Sequence, residues 1–303
     1  MGNVPVNENI PITGHTRLTG LLGSPVKHSL SPLMHNTAFR ILGLDFVYLC
    51  FDVNEETLKE AVRGLTACGI RGFNLTMPNK NRIMELLDAY TPAARLVGAV
   101  NTVLAEDGKL TGYNTDGIGF LRSLEEAGTT VRGKKLVLLG AGGAASAIAA
   151  QAALDGAAEL NIFLRPASRF YARTEQLAES LIRETVCRVQ VCDLEDGSYL
   201  RKLLESADVL IQATPVGMEP ETEQCLIPDA GWLHPDLTVA DIIYHPRKTK
   251  MLKMAEQAGC RVCPGLGMLL HQGAEAFRIW TGRKMPLEQI RKIIDGTDSA
   301  SAQ

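Results

Sequence analysis

The stretch KKLVLLGAGGAA, residues 134–145, changes character half-way, and the change decides the fold. After two lysines its first half is apolar, LVLL, and reads as a strand. Its second half supplies G-x-G-x-x-A through Gly140, Gly142 and Ala145, ahead of the alanine-rich run AASAIAAQAALDG, which reads as a helix. Between strand and helix, the first glycine permits a tight turn and the second lets the backbone approach a pyrophosphate. The small third residue keeps helix and strand close. Dinucleotide binding follows, with the backbone of Gly140, Ala141, Gly142, Gly143 and Ala144 as the cradle. A tight turn in some other α/β fold is the alternative.

The chain on either side keeps the same alternation. Downstream, strands ELNIFLR, CRVQVC, DVLIQAT, LTVADIIY and RVCPG are separated by amphipathic runs such as ARTEQLAESLIRE and TKMLKMAEQAG. Upstream, LTGLLGS, DFVYLCFDV and GFNLT read as strands, with helices over SPLMHNTAFRILG, VNEETLKEAVRGLTACG and NRIMELLDAY. Asp107-Gly108 marks a hairpin turn that ends this first series. The expected fold is α/β in two domains: an N-terminal, mainly parallel α/β domain and a Rossmann dinucleotide-binding domain. Two further helices, MLLHQGAEAFRIWTG and PLEQIRKII, cap the second domain or return to the first.

Cofactor choice is set at the end of the second nucleotide-binding strand. NAD sites place an acid there for the ribose 2′-OH. This chain has FLRPASRFYAR, without an acid and with Arg165, Arg169 and Arg173, which suits a 2′-phosphate and hence NADP. A solvated basic surface is the alternative. A nicotinamide cofactor beside a second domain predicts hydride transfer, with a substrate that needs a proton donor nearby.

One lysine is oddly placed for a purely structural role. In GFNLTMPNKNRIM, residues 72–84, a strand runs into Pro78 at the expected first turn of a helix, which puts Lys80 near a helix N-terminus. The helix dipole does not favour a cation there, so Lys80 either points into water or serves a site.

The bulk numbers exclude several classes. With 303 residues, 46% hydrophobic and 21% charged, the chain is long enough for two domains, and a net charge of -3 offers no footprint for nucleic acid. Seven cysteines, an odd and scattered set, are expected as reduced thiols, and the lone C-x-x-C of Cys260 and Cys263 lacks the partners of a metal site. The N-terminus lacks the basic and apolar segments of a secretory signal, and no apolar stretch has the length of a membrane span, so a cytoplasmic location is expected.

Eight stretches taken together resemble the shikimate dehydrogenase family: GSPVKHSLSPLMHN, FNLTMPNK, GAVNT, GYNTDG, GAGGAA, QATPVGM, DIIYHP and GLGMLLHQGAEAFRIWTG. They run in family order from about Gly20 to Gly282. The resemblance implies reversible reduction of 3-dehydroshikimate to shikimate, usually with NADPH. It implies Lys80 and Asp116 as the catalytic pair, with Ser29, Ser31, Asn74, Thr76, Asn101, Tyr244 and Gln272 also at the substrate. On the cofactor side it implies the glycine loop with Arg165, Thr214, Gly217, Met218 and Gly265. It further implies a substrate domain over residues 16–118 completed by 264–295, a Rossmann domain over 119–263, and loose tails at 1–15 and 296–303. Small-molecule ligands alone are expected, with no metal, nucleic acid or membrane partner, in a monomer or homodimer.

The residue types suit that chemistry. Shikimate offers a carboxylate for the two serines and three hydroxyls for the Asn, Thr, Lys, Asp and Gln groups. Taken singly, Ser29 and Ser31 would as readily cap the following helix, and Asn101 would as readily serve a turn. Two departures bear on specificity. The family's usual Asn-Arg-Thr is Leu164-Arg165-Pro166 here, which keeps the arginine but leaves NAD use open. Quinate-preferring relatives tend to replace the second serine with Thr, so Ser31 leans towards shikimate. Quinate or dual-cofactor activity, a non-catalytic binding paralogue and a folate-linked dehydrogenase are the rival functions.

Overall fold

The computed structural model describes residues 11–301. The chain divides into two compact units, one holding Met1–Thr115 and Gly273–Gln303, the other Asp116–Gln272. Residues 1–10 and 302–303, which fall in the expected tails, lie outside the described residues.

The first unit is built on β1 (Arg17–Gly23), α1 (Ser31–Leu42), β2 (Phe46–Asp52), α2 (Leu58–Ala67), β3 (Gly72–Leu75), β4 (Ala89–Tyr90), α3 (Pro92–Val97), β5 (Thr102–Glu106) and β6 (Lys109–Tyr113). Its sheet has the order β2-β1-β3-β5-β6-β4. β1, β2 and β3 are parallel, and the β5–β6 hairpin adds antiparallel to β3. At the hairpin turn Asp107 and Gly108 both have positive φ, 50° and 74°, which matches the twist of the flanking strands. α1 ends where the sequence says it should: Gly43 adopts φ 63°, and its N–H closes on the carbonyls of Arg40 and Phe39.

The second unit holds α4 (Thr115–Glu126), whose first residue belongs to the first unit, then β7 (Lys135–Leu139), α5 (Gly143–Leu154), β8 (Glu159–Leu164), α6 (Tyr171–Glu184), β9 (Arg188–Asp193), α7 (Gly197–Leu204), β10 (Val209–Gln212), β11 (Thr238–Asp241), α8 (Lys250–Gln257) and β12 (Arg261–Cys263). The order β12-β11-β10-β7-β8-β9 is fully parallel. This is the doubly wound arrangement, with its switch point between β7 and β10, where a nucleotide is expected outside the carboxyl ends of the strands. β7 is buried along KLVLL after its first residue. α5 is buried around most of its circumference, and its alanines let neighbours come close: a Cβ at Gly117 of α4 would lie 2.4 Å from the Ala147 carbonyl oxygen.

α9 (Leu266–Thr281) and α10 (Leu287–Ser301) follow. The part of α9 from Gly273 belongs to the first unit, where the Trp280 indole N–H donates to the Val103 carbonyl at 2.9 Å. A Cβ at Gly72 would stand 2.3 Å from that indole nitrogen, so β3 starts on glycine to admit the tryptophan.

Three expectations need correction. The stretch expected to be a helix over NRIMELLDAY is a 3-10 turn over Arg82–Leu86 followed by β4, and residues 77–80 form a turn, so Lys80 opens no α-helix. α3 and α4 go unforeseen in the sequence. The expected loose tail from residue 296 is helical through Ser301. No helix among the described residues is long and apolar enough to cross a membrane.

Candidate active site

In the first unit the expected substrate residues sit where the parallel strands end. Ser29 lies between β1 and α1, Ser31 opens α1, Asn74 is on β3, Thr76 and Lys80 follow it, and Asn101 precedes β5. The serines are only partly spent on the helix: Leu30, which precedes α1, offers no side-chain cap, and Ser29 Oγ accepts the N–H of Ser31, the first helical residue, at 3.2 Å.

A chain of polar side chains joins these segments. The Ser31 hydroxyl hydrogen-bonds the Tyr48 phenol, and the phenol donates to Asn74 Oδ1 at 2.8 Å. Asn74 Nδ2 donates to the Asn101 carbonyl at 3.1 Å and to Thr102 Oγ1 at 2.9 Å. Asn101 Oδ1 accepts the Thr115 N–H at 2.8 Å, and Asn101 Nδ2 donates to Thr115 Oγ1 at 3.0 Å. All of these from Tyr48 onwards are buried. Both amide hydrogens of Asn74 are used inside the protein and its Oδ1 already accepts the Tyr48 phenol, which leaves the second lone pair of Oδ1 for a ligand hydroxyl. Burial pushes the Tyr48 phenol well above its ordinary value, with the Cys50 thiol adding and the Ser31 hydrogen bond opposing, so the phenol stays a donor.

Behind Tyr48 stands His35, fully buried and stacked on the phenol ring at 4.5 Å and 9°, with Trp280 at 5.2 Å on another side. Neither ring nitrogen has a hydrogen-bond partner among the described residues, and burial lowers its pKa to about 3. The folded protein therefore refuses a proton that the unfolded chain accepts below pH 6.5. The sign follows: His35 contributes its full stability above pH 6.5 and loses it as the pH falls towards 3. Thermal melting of His35→Phe and the parent from pH 7 to 4 should show a shallower decline in the variant. Parallel declines would contradict it.

Lys80 is half-buried on a turn held from both sides. Its carbonyl accepts the Val100 N–H at 2.8 Å, next to Asn101, while Asn79 Nδ2 donates to the Val53 carbonyl at 2.7 Å. Thr76 packs against Gly23, where a Cβ would sit 2.2 Å from Thr76 Cγ2. Loop-borne side chains are thus fixed by the scaffold beneath them.

In the second unit the glycine loop joins β7 to α5. Gly140 has φ +117°, and a Cβ there would lie 2.6 Å from the Ala213 carbonyl oxygen. At Gly142 and Gly143 a Cβ would meet nothing within 4 Å, so the first turn of α5 is open on the side a pyrophosphate would occupy. α5 carries no side-chain cap, which leaves its first N–H groups for that ligand. Arg165 follows the last residue of β8, exposed and with no side-chain partner among the described residues. Ala141 lies in the glycine loop and Ala144 in the first turn of α5. Thr214, Gly217 with φ 90° and the exposed Met218 follow β10. These features fit a dinucleotide with an anionic ribose.

The remaining expected residues of this unit are Asp116 in the first turn of α4, Tyr244 after β11 and Gln272 on α9. Tyr244 is 40% exposed, and Gln272 Nε2 donates to the Leu269 carbonyl at 3.1 Å within its own helix. Gly265 allows a main-chain approach, since a Cβ there would lie 2.4 Å from the Ile242 carbonyl carbon. Burial raises the Asp241 carboxyl to about 6, against hydrogen bonds from the Ile243 N–H and the Thr249 hydroxyl. All seven cysteines are free thiols, and the two of the C-x-x-C are separately engaged, Cys260 Sγ donating to the His234 carbonyl and Cys263 Sγ meeting Ser123 Oγ at 3.2 Å.

Sequence reasoning missed Tyr48, His35, Thr102 and Thr115. Tyr48 carried a usable signal, because strand alternation in FVYLCFD puts it on one face with Phe46 and Cys50.

Comparison with known proteins bears on both units. The family model described as the shikimate dehydrogenase substrate binding domain matches residues 21–103, and that described as the shikimate 5'-dehydrogenase C-terminal domain matches residues 265–294. A relative from Listeria monocytogenes serotype 4b, named shikimate dehydrogenase (NADP(+)), is 50% identical over 283 residues, 93% of this chain and 97% of that protein. The chain belongs to the shikimate dehydrogenase family. Among solved structures of the family, shikimate 5-dehydrogenase from Listeria monocytogenes in complex with shikimate and NAD aligns with a TM-score of 0.91 at 50% identity, over 93% of this chain and 98% of that one. A shikimate dehydrogenase in complex with NADP+ aligns with a TM-score of 0.83 at 42% identity, over 94% of this chain and 97% of that one.

Proposed function

We propose that the protein is an NADP-dependent shikimate dehydrogenase that reversibly reduces 3-dehydroshikimate to shikimate. The observation that carries this is the 50% identity, across 93% of the chain, to a relative of that name. The polar chain from Ser31 to Thr115 supports it, because it is a site built for a small, hydroxyl-rich ligand. Residues 16–118, completed by 264–295, form the substrate-binding and catalytic domain, and residues 119–263 form the cofactor domain. The location is cytoplasmic.

The bound nicotinamide cofactor supplies or accepts the hydride. Ser29 and Ser31 bind the substrate carboxylate, while Asn74, Thr76, Asn101, Tyr244 and Gln272 bind its hydroxyls and flank. Lys80 gives a proton to the carbonyl oxygen as it becomes a hydroxyl, and Asp116 holds the lysine and the hydroxyl in register. In the reverse direction the same lysine takes the proton back. Hydroxyl recognition by buried polar groups discriminates strongly against analogues that lack the hydroxyl, because the protein groups are then left unpaired.

The direct test is NADPH consumption on addition of 3-dehydroshikimate, with shikimate identified as the product. No consumption would overturn the assignment. On the cofactor side, Arg165→Ala should raise KM for NADP about tenfold while leaving KM for NAD within about twofold, since a guanidinium–phosphate contact is lost only with NADP. Equal losses would place the 2′-phosphate elsewhere.

A further inference from the structure

Two strand ends in the nucleotide-binding unit hold buried polar side chains that the reaction does not use. Gln212 ends β10, Asp241 ends β11, and the two are register partners across the parallel ladder. Each is 1% exposed. The loops that follow them leave the sheet, so their backbone groups need new partners.

Each strand-end side chain supplies those partners to its own loop. Gln212 Oε1 accepts the Thr214 hydroxyl at 3.0 Å and its N–H at 3.4 Å, and Gln212 Nε2 donates to the Val216 carbonyl at 3.0 Å. Asp241 Oδ1 accepts the Ile243 N–H at 2.9 Å, and its Oδ2 accepts the Thr249 hydroxyl at 2.7 Å. The Asp241 bonds bracket Tyr244 on both sides. Gly265 closes the back of the same loop, where any side chain would displace the main chain at Ile242 and Ile243.

We propose that Asp241 and Gln212 are a pair of positioning residues, Asp241 setting Tyr244 for the substrate and Gln212 setting residues 214–218 for the cofactor. This rests on the assignment of Tyr244 to the substrate and of Thr214, Gly217 and Met218 to the cofactor. A buried carboxylate is costly to desolvate, and the two hydrogen bonds that Asp241 accepts offset that cost. Its value here lies in direction: two short acceptor bonds fix the path of the segment that carries Tyr244, whose ring is 40% exposed.

The test is steady-state kinetics of the full chain with shikimate and NADP. Asp241→Asn should raise KM for shikimate about tenfold and leave KM for NADP within about twofold, the loss expected for one hydrogen bond to a charged group. Its melting temperature above pH 6 should not fall below the parent's, because burial disfavours the charged carboxyl there. Gln212→Leu should give the opposite split. Thr249→Val should follow Asp241→Asn, and Thr249→Ser, which keeps the hydroxyl, should restore the parent's value; this pair carries the test if Asp241→Asn fails to fold. Added to Tyr244→Ala, Asp241→Asn should produce no further rise, since positioning has nothing left to act on. Equal rises in both KM values, or additive effects with Tyr244→Ala, would overturn the proposal. A parent-like shikimate KM in Tyr244→Ala alone would instead overturn the assignment on which it rests.

Discussion

Lys80→Ala is expected to lower kcat for shikimate oxidation by about 10²–10⁴-fold, the usual contribution of a positioned general acid or base. The fold should survive, because the turn that carries Lys80 is held by main-chain and Asn79 bonds that do not involve the lysine side chain: the Lys80 carbonyl to Val100, and Asn79 to Val53. Unchanged melting with a collapsed kcat would mark a chemical role. If kcat stays within threefold or so of the parent, Lys80 moves no proton in the slow step.

Gly140→Ala should have the second largest effect, on NADP binding and on stability together. The residue sits at φ +117°, where L side chains are rare, and its Cβ would fall 2.6 Å from a carbonyl oxygen of the main chain. Backbone strain of this kind costs about 1–3 kcal/mol, and the clash with Ala213 can be relieved only by moving the start of the 214–218 loop. Calorimetric titration with NADP should show at least a tenfold weaker Kd. Gly143→Ala separates the two causes. A Cβ at Gly143 meets open space, so that variant should melt like the parent yet bind NADP poorly, its methyl filling the place of the pyrophosphate. Parent-like NADP affinity in Gly143→Ala would mean that the loop faces something else.

The features legible in the sequence are those written in local backbone chemistry. Glycines at 140 and 142, the Asp107-Gly108 turn, Gly43 at the end of α1 and the apolar run of β7 each state their structure within a few residues. Lys80 is different. Pro78 after a strand looks like a helix start, but the turn over residues 77–80 is set by bonds to Val53 and Val100, which no local pattern reveals. The serine pair was ambiguous for the same reason, since Ser, Thr, Asn and Asp all suit helix caps. Only the Tyr48 phenol, brought across from the neighbouring strand, shows that Ser31 points into a polar chain. Gln212 and Asp241 did leave a trace: each is a polar residue closing a buried strand, VLIQ and TVAD, at a place where a central parallel strand should stay apolar.

The rate of cofactor reduction with shikimate and with quinate, each paired with NADP and with NAD, reads substrate and cofactor choice together. Fastest turnover with shikimate and NADP is the predicted result, and it tests Ser31 and Arg165 at once. No turnover in any of the four pairs would contradict the assignment as a dehydrogenase, and a preference for quinate or for NAD would contradict its specificity.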